Sequence, residues 1–387
     1  MIQLLIISSL TIGLIGLLRF RSLIVRFILF AYWYPLVPMV LFIFNYPVGR
    51  VLDVVGRPLY YSYALEAFCF AIVGYAVVVI VIWRFRNEYV RLPRFRIGES
   101  FRILIVLLLY VLAFIAYPKA FGISASRWNL LPGQWSVVYL AVNVFILLSF
   151  RSAKTLSTIL HIAILLFVIK GGERVDSIVV LIWYVFFEVK TTEVGYLVER
   201  KLSFRLVFIL LGIFVIGVGA GLWRGGSTLD FLVLIYSVVA QHTVVDVVHV
   251  YFSSFHYVEN IGLNHYPLFN EFFGLIPTHP LGGTHSIFNF TNILKSHIPN
   301  PGGGLFYSEG VLIFGKIGVV IYSLLYGLLI RFFLTHIRLL SFLFVVFFIL
   351  QLRIQWYGFL YIYSTVLIVL SLLFFYKGLK LSYNSLN

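Results

Sequence analysis

The sequence predicts an all-α polytopic membrane protein of about 11 transmembrane helices (10–12), with one large external loop subdomain. Three observations lead there. The 387 residues are 61% hydrophobic and only 11% charged, where a soluble domain carries roughly 25% charged residues. The mean hydropathy is +1.02. Apolar runs of membrane-spanning length, about 20 residues, recur along most of the chain. The single cysteine, Cys69, lies inside such a run, which excludes an intrachain disulfide or a cysteine-based zinc site.

Taken in order, the runs are 2–18, 27–47, 61–83, 103–120, 134–150, 155–171, 177–191, 205–222, 309–330, 339–352 and 358–376. The first has no basic segment ahead of it and no small-residue cleavage site, so it reads as a retained span. Arginines orient the set. Arg84, Arg86, Arg91, Arg94, Arg96 and Arg102 crowd one connection, which should be cytoplasmic. Alternation then places 19 of the 29 Lys and Arg on that side, with the N-terminus outside and the C-terminus inside. Orientation accounts for the net charge of +15, and no nucleic-acid partner is needed to explain it. The chain divides into an N-terminal bundle (1–222), a loop subdomain (223–308) and C-terminal helices (309–387), integrated as one membrane domain.

The loop holds seven of the nine histidines. In "QHTVVDVVHVYFSSFH", His242, Asp246, His249, Ser253 and His256 share one helical face. The segment reads as a helix with one polar stripe, lying against the membrane or dipping into it. The stripe admits three readings: a metal site at His242, Asp246 and His249, histidines bonded to loop backbone, or the lining of a substrate cavity. From Gly262 to Gly304 there are twelve Gly or Pro, which excludes a long regular helix and suits close approach of backbone to a ligand. His285 and Tyr307 lie in or beside this stretch. Arg50, Arg127, Arg224 and Arg353 stand near outer membrane boundaries. Arg224, in "GAGLWRGGS", has the sharpest setting, since a guanidinium fork binds phosphate bidentately and glycines admit a diphosphate. A snorkelling interfacial arginine is the alternative. No two acidic residues stand within two positions of each other, so a paired-acid metal motif of sugar transferases is missing. A phosphorylated donor would then be held by cations, with no metal and no cofactor.

The last third opens on "NPGGGLFYSEGVLIFGKIGVV". Glu309 falls in a first helical turn, where the macrodipole favours an acid. Lys316, seven residues on, lies within an apolar run, where an ionisable side chain usually faces protein or a wet cavity. The spacing puts both on one face of a continuous helix, pointing into one cavity that opens toward the loop. A carboxylate there could act as general base toward a sugar hydroxyl.

"GGGLFYSEGVLIFGKIGVVIYSLLYGLL" resembles the C-terminal signature of Wzy-type O-antigen (oligosaccharide repeat-unit) polymerases, through Gly302, Gly303, Gly304, Ser308, Glu309, Phe314, Gly315 and Gly318. "LWRGGS", the number of spans and the chain length are also similar to that family, and the local match covers roughly 205–330. The resemblance implies a GT-C-like glycosyltransferase of the bacterial inner membrane, active on the periplasmic face without a nucleotide sugar or a required metal. It implies that a growing glycan passes from undecaprenyl pyrophosphate to the next lipid-linked repeat unit. A flippase and a chain-length regulator would be its partners. On this reading Glu309, His249 or His285 is the base, Arg224, Arg127 and Arg353 hold pyrophosphate, and Lys316, Tyr307, His242 and Asp246 line the cavity. The family's arginine motifs have no clean copy beyond Arg127 and Arg224. An O-antigen ligase and a lipid-linked oligosaccharide flippase are the alternatives.

Overall fold

The computed structural model describes residues 2–48, 52–94, 96–121, 132–170, 175–189, 195–224, 245–263 and 304–357, with Leu234 and Leu294. Among these the chain is mostly helical, and four stretches are long and apolar enough to cross a membrane: Leu23–Ile43, Leu52–Phe85, Glu99–Ala116 and Phe306–Thr335. Shorter apolar helices accompany them.

The helices are α1 (Ile2–Leu18), α2 (Leu23–Trp33), α3 (Leu36–Ile43), α4 (Arg57–Ile82), α5 (Glu99–Ala116), α6 (Pro132–Leu148), α7 (Leu156–Lys170), α8 (Val175–Phe186) and α9 (Phe204–Arg224). α10 (Val245–Asn260), α11 (Phe306–Phe314), α12 (Gly318–Thr335), α13 (Ser341–Ile349) and α14 (Gln351–Tyr357) follow. Pro35 divides α2 from α3, because a proline lacks the N–H that a continuous helix needs. The predicted span 339–352 is instead the nine-residue α13, about 13 Å long, which stops at Leu350 before α14 begins. The predicted span 358–376 lies outside the described residues.

α4 and α12 form the spine of the main core. They run parallel: Gly74 lies against Ser323, Gly327 against Val78 and Val81, and Arg84 Nη2 donates to Thr335 Oγ1 at 3.0 Å. Tyrosines fill the space around them, and three of them bury their hydroxyls against a partner. Tyr75 donates to the Gly13 carbonyl (3.0 Å), Tyr251 to that of Ala67 (2.8 Å), and Tyr32 shares a hydrogen bond with Ser323 (2.7 Å). A second apolar cluster joins α5, α6 and α7.

One end of the otherwise helical bundle carries a small sheet. β1 (Arg91–Pro93), β2 (Phe187–Val189) and β3 (Tyr196–Glu199) form an antiparallel sheet in the order β1-β3-β2, with Arg91 opposite Val198 and Glu188 opposite Val198 on the other edge. The buried side chain that fixes this sheet to the helices is Glu199. Its carboxylate accepts from Ile24 N–H (2.7 Å), Val90 N–H (2.9 Å) and Ser22 Oγ (3.0 Å), tying β3 to the start of α2. Burial pushes this carboxyl up to about 7, against the pull of its N–H donors. The folded state therefore holds the proton more tightly than the unfolded chain. That stabilisation is complete below the ordinary value of 4.5 and is lost as pH rises through about 7. Glu199→Gln is expected to flatten the decline in melting temperature between roughly pH 5 and pH 8. Parallel wild-type and variant curves would refute this role.

Candidate functional site

Phe306–Thr335 is apolar over 30 residues, yet it is not one rod. Gly315 has φ 68° and ψ −162°, a conformation that costs an L-residue with a Cβ, and a short 3₁₀ turn (Gly315–Ile317) follows it. α11 folds back along α12, so that Gly310 meets Gly318 backbone to backbone; a Cβ on Gly310 would stand 2.5 Å from the Gly318 carbonyl oxygen. Depth follows from side-chain contacts. α12 has 18 residues, about 27 Å, which matches the ~30 Å hydrocarbon core. Tyr326 lies at its middle, and the Phe306 ring packs 4.9 Å from it. α11 thus starts at mid-depth and rises to its tip at Gly315.

This geometry corrects the expectation of Glu309 at the mouth of a simple span. Glu309 stands in the first turn of α11, one turn from mid-depth and only 6% exposed. It also separates Glu309 from Lys316, since the helix that would have put them on one face is broken between them. Lys316 occupies the hairpin tip and pairs with Glu66 of α4 at 2.8 Å and with Glu259 of α10. These three side chains are partly exposed, a setting in which a salt bridge contributes about 0–1 kcal/mol. Lys316→Met should therefore lower stability by no more than about 1 kcal/mol in thermal or denaturant unfolding. A substantially larger loss would show that the triad holds the hairpin shut.

α10 lies inside the bundle, against α4 and α11, and Val247 through Phe255 are all buried. Ser253 Oγ donates to the Val250 carbonyl and Ser254 Oγ to that of Tyr251, both at 2.7 Å, so of the predicted stripe Ser253 is satisfied by the helix's own backbone. His249 is fully buried with its ring 5.2 Å from that of Tyr60, and His256 packs on Tyr60 and Tyr63. Asp246 is half-buried in the first turn. Tyr307 is fully buried, 4.8 Å from the Tyr251 ring and 5.4 Å from that of Tyr32. Among the described residues its hydroxyl has no hydrogen-bond partner, and neither has Ser308 Oγ beside Glu309.

α14 packs against α11 from another side and carries Arg353, which is 6% exposed. Burying a charge at this depth is tolerable only with partners, and neither Glu309 nor Arg353 is without interactions. Two glutamines flank the arginine on this helix: Gln351 Oε1 accepts from Tyr326 Oη, and Gln355 Nε2 donates to the same hydroxyl at 3.0 Å. One sign of this centre is legible in the chain itself, two glutamines and an arginine within "LQLRIQW" in an otherwise apolar region. Glu66 and Glu259 were likewise not singled out, since neither has a motif around it. The structure thus brings Glu309, His249, Tyr307 and Arg353 onto three helices packed together. Arg127, His242 and His285 lie outside the described residues, as does the side chain of Arg224, whose backbone ends α9. Comparison with family models, curated proteins and solved structures finds no match to this chain.

Proposed function

We propose that the protein is a lipid-linked glycan polymerase, which joins undecaprenyl-pyrophosphate-linked repeat units by glycosyl transfer without a metal. The observation that carries the reading is the hairpin. Three of the residues that resemble the polymerase signature acquire a physical task there: Gly315 turns the chain, Gly318 admits the Gly310 backbone, and Glu309 is held in a buried first turn. Such a device, polar at its base and apolar around it, suits a carboxylate that must meet a sugar hydroxyl beside a lipid tail.

In the proposed reaction Glu309 takes the proton of the acceptor hydroxyl as that oxygen attacks the anomeric carbon of the donor sugar. The bond from that carbon to undecaprenyl pyrophosphate breaks, and the leaving group departs with the bonding pair. Arg353 stabilises the charge that develops on it, usually a large catalytic contribution, with Arg224 and Arg127 as further candidates. Glu309 is preferred over His249 because a base must come within hydrogen-bond reach of its proton. Glu309 keeps an exposed edge of 6% where His249 has none. The unpartnered hydroxyls of Tyr307 and Ser308 offer donors and acceptors to sugar oxygens. Activity would face the periplasm of the bacterial inner membrane.

The test is elongation by the purified protein supplied with lipid-linked repeat units. Products longer than one unit support polymerisation. Transfer to a lipid A core alone would identify a ligase, and translocation without bond formation a flippase.

A further inference from the structure

At the sheet end, far from the hairpin tip, a cavity of about 670 Å³ opens between β3 and the start of α9. Four cationic side chains line it: Arg91 of β1, Arg200 and Lys201 of the turn after β3, and Arg205 of the first turn of α9. Two carboxylates share the lining, but neither neutralises the four. Glu199 is turned inward to its N–H donors, and Glu188 stands 3.7 Å from Arg200 Nε, half in solvent. Ser203, also in the lining, receives the Leu206 N–H on its Oγ at 3.4 Å and so begins α9 inside the cavity. A helix start adds unpaired N–H groups and a positive dipole end to the same place. Clustered like charges around an open space attract an anion.

The other wall tells which anion. Leu206 and Ile209 continue the lining onto α9, whose outward face is exposed and apolar: Phe204 is 85% exposed, Phe208 65% and Leu211 52%. A charged pocket that runs directly into an exposed apolar helix face fits a molecule with a phosphate at one end and hydrocarbon at the other. A soluble phosphate would leave that face unused. Such faces on membrane helices meet lipid, and basic clusters at the boundary attract anionic headgroups.

We propose that this cavity is a binding site for an anionic phospholipid, with the phosphodiester held by Arg91, Arg200, Lys201 and Arg205 and an acyl chain laid along the exposed Ile209 and the adjoining Phe208. The site is independent of the proposed glycosyl transfer and shares no residue with it.

The experiment uses the full chain in an uncharged detergent, titrated with phosphatidylglycerol, phosphatidylcholine or sn-glycerol 3-phosphate. Bound lipid is counted by native mass spectrometry, and melting temperature is followed in parallel. Phosphatidylglycerol is expected to bind and raise the melting temperature, while phosphatidylcholine and glycerol phosphate do neither. Arg91→Gln with Arg205→Gln should weaken phosphatidylglycerol binding roughly ten- to thirty-fold, without changing the lipid-free melting temperature. Lys201→Gln, at an exposed position, gives a milder loss and serves if the double variant fails to fold. Equal binding of phosphatidylcholine, equal stabilisation by glycerol phosphate, or undiminished phosphatidylglycerol binding by the variants would each overturn the proposal.

Discussion

Glu309→Gln protein is expected to reach the membrane in normal amount and to elongate no glycan beyond a single repeat unit. Glutamine keeps the volume of glutamate and can accept a hydrogen bond, so the first turn of α11 should pack as before. What it loses is the ability to take a proton. General base catalysis contributes about 10²–10⁴-fold, so the rate of chain extension should fall by at least two orders of magnitude. Glu309→Asp sharpens the reading. It restores the carboxylate but withdraws it by one methylene, and a reacting atom misplaced by about 1 Å can cost on the order of 10²-fold. Aspartate should therefore recover part of the rate, where a purely structural glutamate would be served as well by glutamine. Both variants need a melting temperature close to wild type for the comparison to count. Wild-type elongation by the glutamine variant would remove Glu309 from the chemistry, and with it the mechanism proposed here.

Much of this architecture could be read from composition and periodicity. Apolar runs of the right length located α1, α4, α5 and α7 to within a few residues, because lipid exposure leaves a helix little choice but to be apolar around most of its surface. The misreadings arose where hydropathy carries no direction. The run after Leu305 is apolar whether it continues inward or turns back at Gly315, and only the backbone angle of that glycine distinguishes the two. The same limit hid the break at Leu350, since α13 and α14 together have the length of one helix. α10 was misjudged for another reason. Ser253 and Ser254 each return a hydroxyl to a carbonyl of the preceding turn, and the stripe's His249 is covered by the Tyr60 ring, so this face can be buried. The sheet went unforeseen because its strands are three or four residues long, below the length at which alternation stands out. Of the candidate site, Glu309 and Tyr307 were visible through one local pattern. That the helices carrying Arg353 and His249 both pack on α11 depends on contacts between segments distant in sequence.

Gly318→Ala is expected to be the most disruptive single substitution among the glycines of the hairpin. A Cβ at this position would overlap the carbonyl group of Gly310, both its oxygen and its carbon. Backbone cannot rotate away as a side chain can, so relief requires α11 and α12 to part. Overpacking by one methyl typically costs about 1–3 kcal/mol, and a clash of backbone against Cβ should fall at or above the top of that range. Gly315→Ala should cost less, about 1–3 kcal/mol, because φ 68° with ψ −162° is a backbone region reserved to glycine but the new methyl meets no close clash. Gly315→Asn should cost as much, since asparagine tolerates the left-handed helical region near ψ +47° but not ψ −162°. Gly212→Ala is the neutral reference, with nothing within 4 Å of the new methyl. Thermal unfolding of the four variants should rank Gly318→Ala lowest, the two Gly315 variants together above it, and Gly212→Ala highest. Elongation by Gly318→Ala should also fall, although Glu309 is intact, because the packing that holds its first turn at mid-depth is disturbed. A Gly318→Ala protein as stable as Gly212→Ala would mean that α11 does not lie against α12. Residues 306–335 would then be one continuous span, Glu309 would return to its outer end, and the buried carboxylate on which the proposed chemistry rests would not exist.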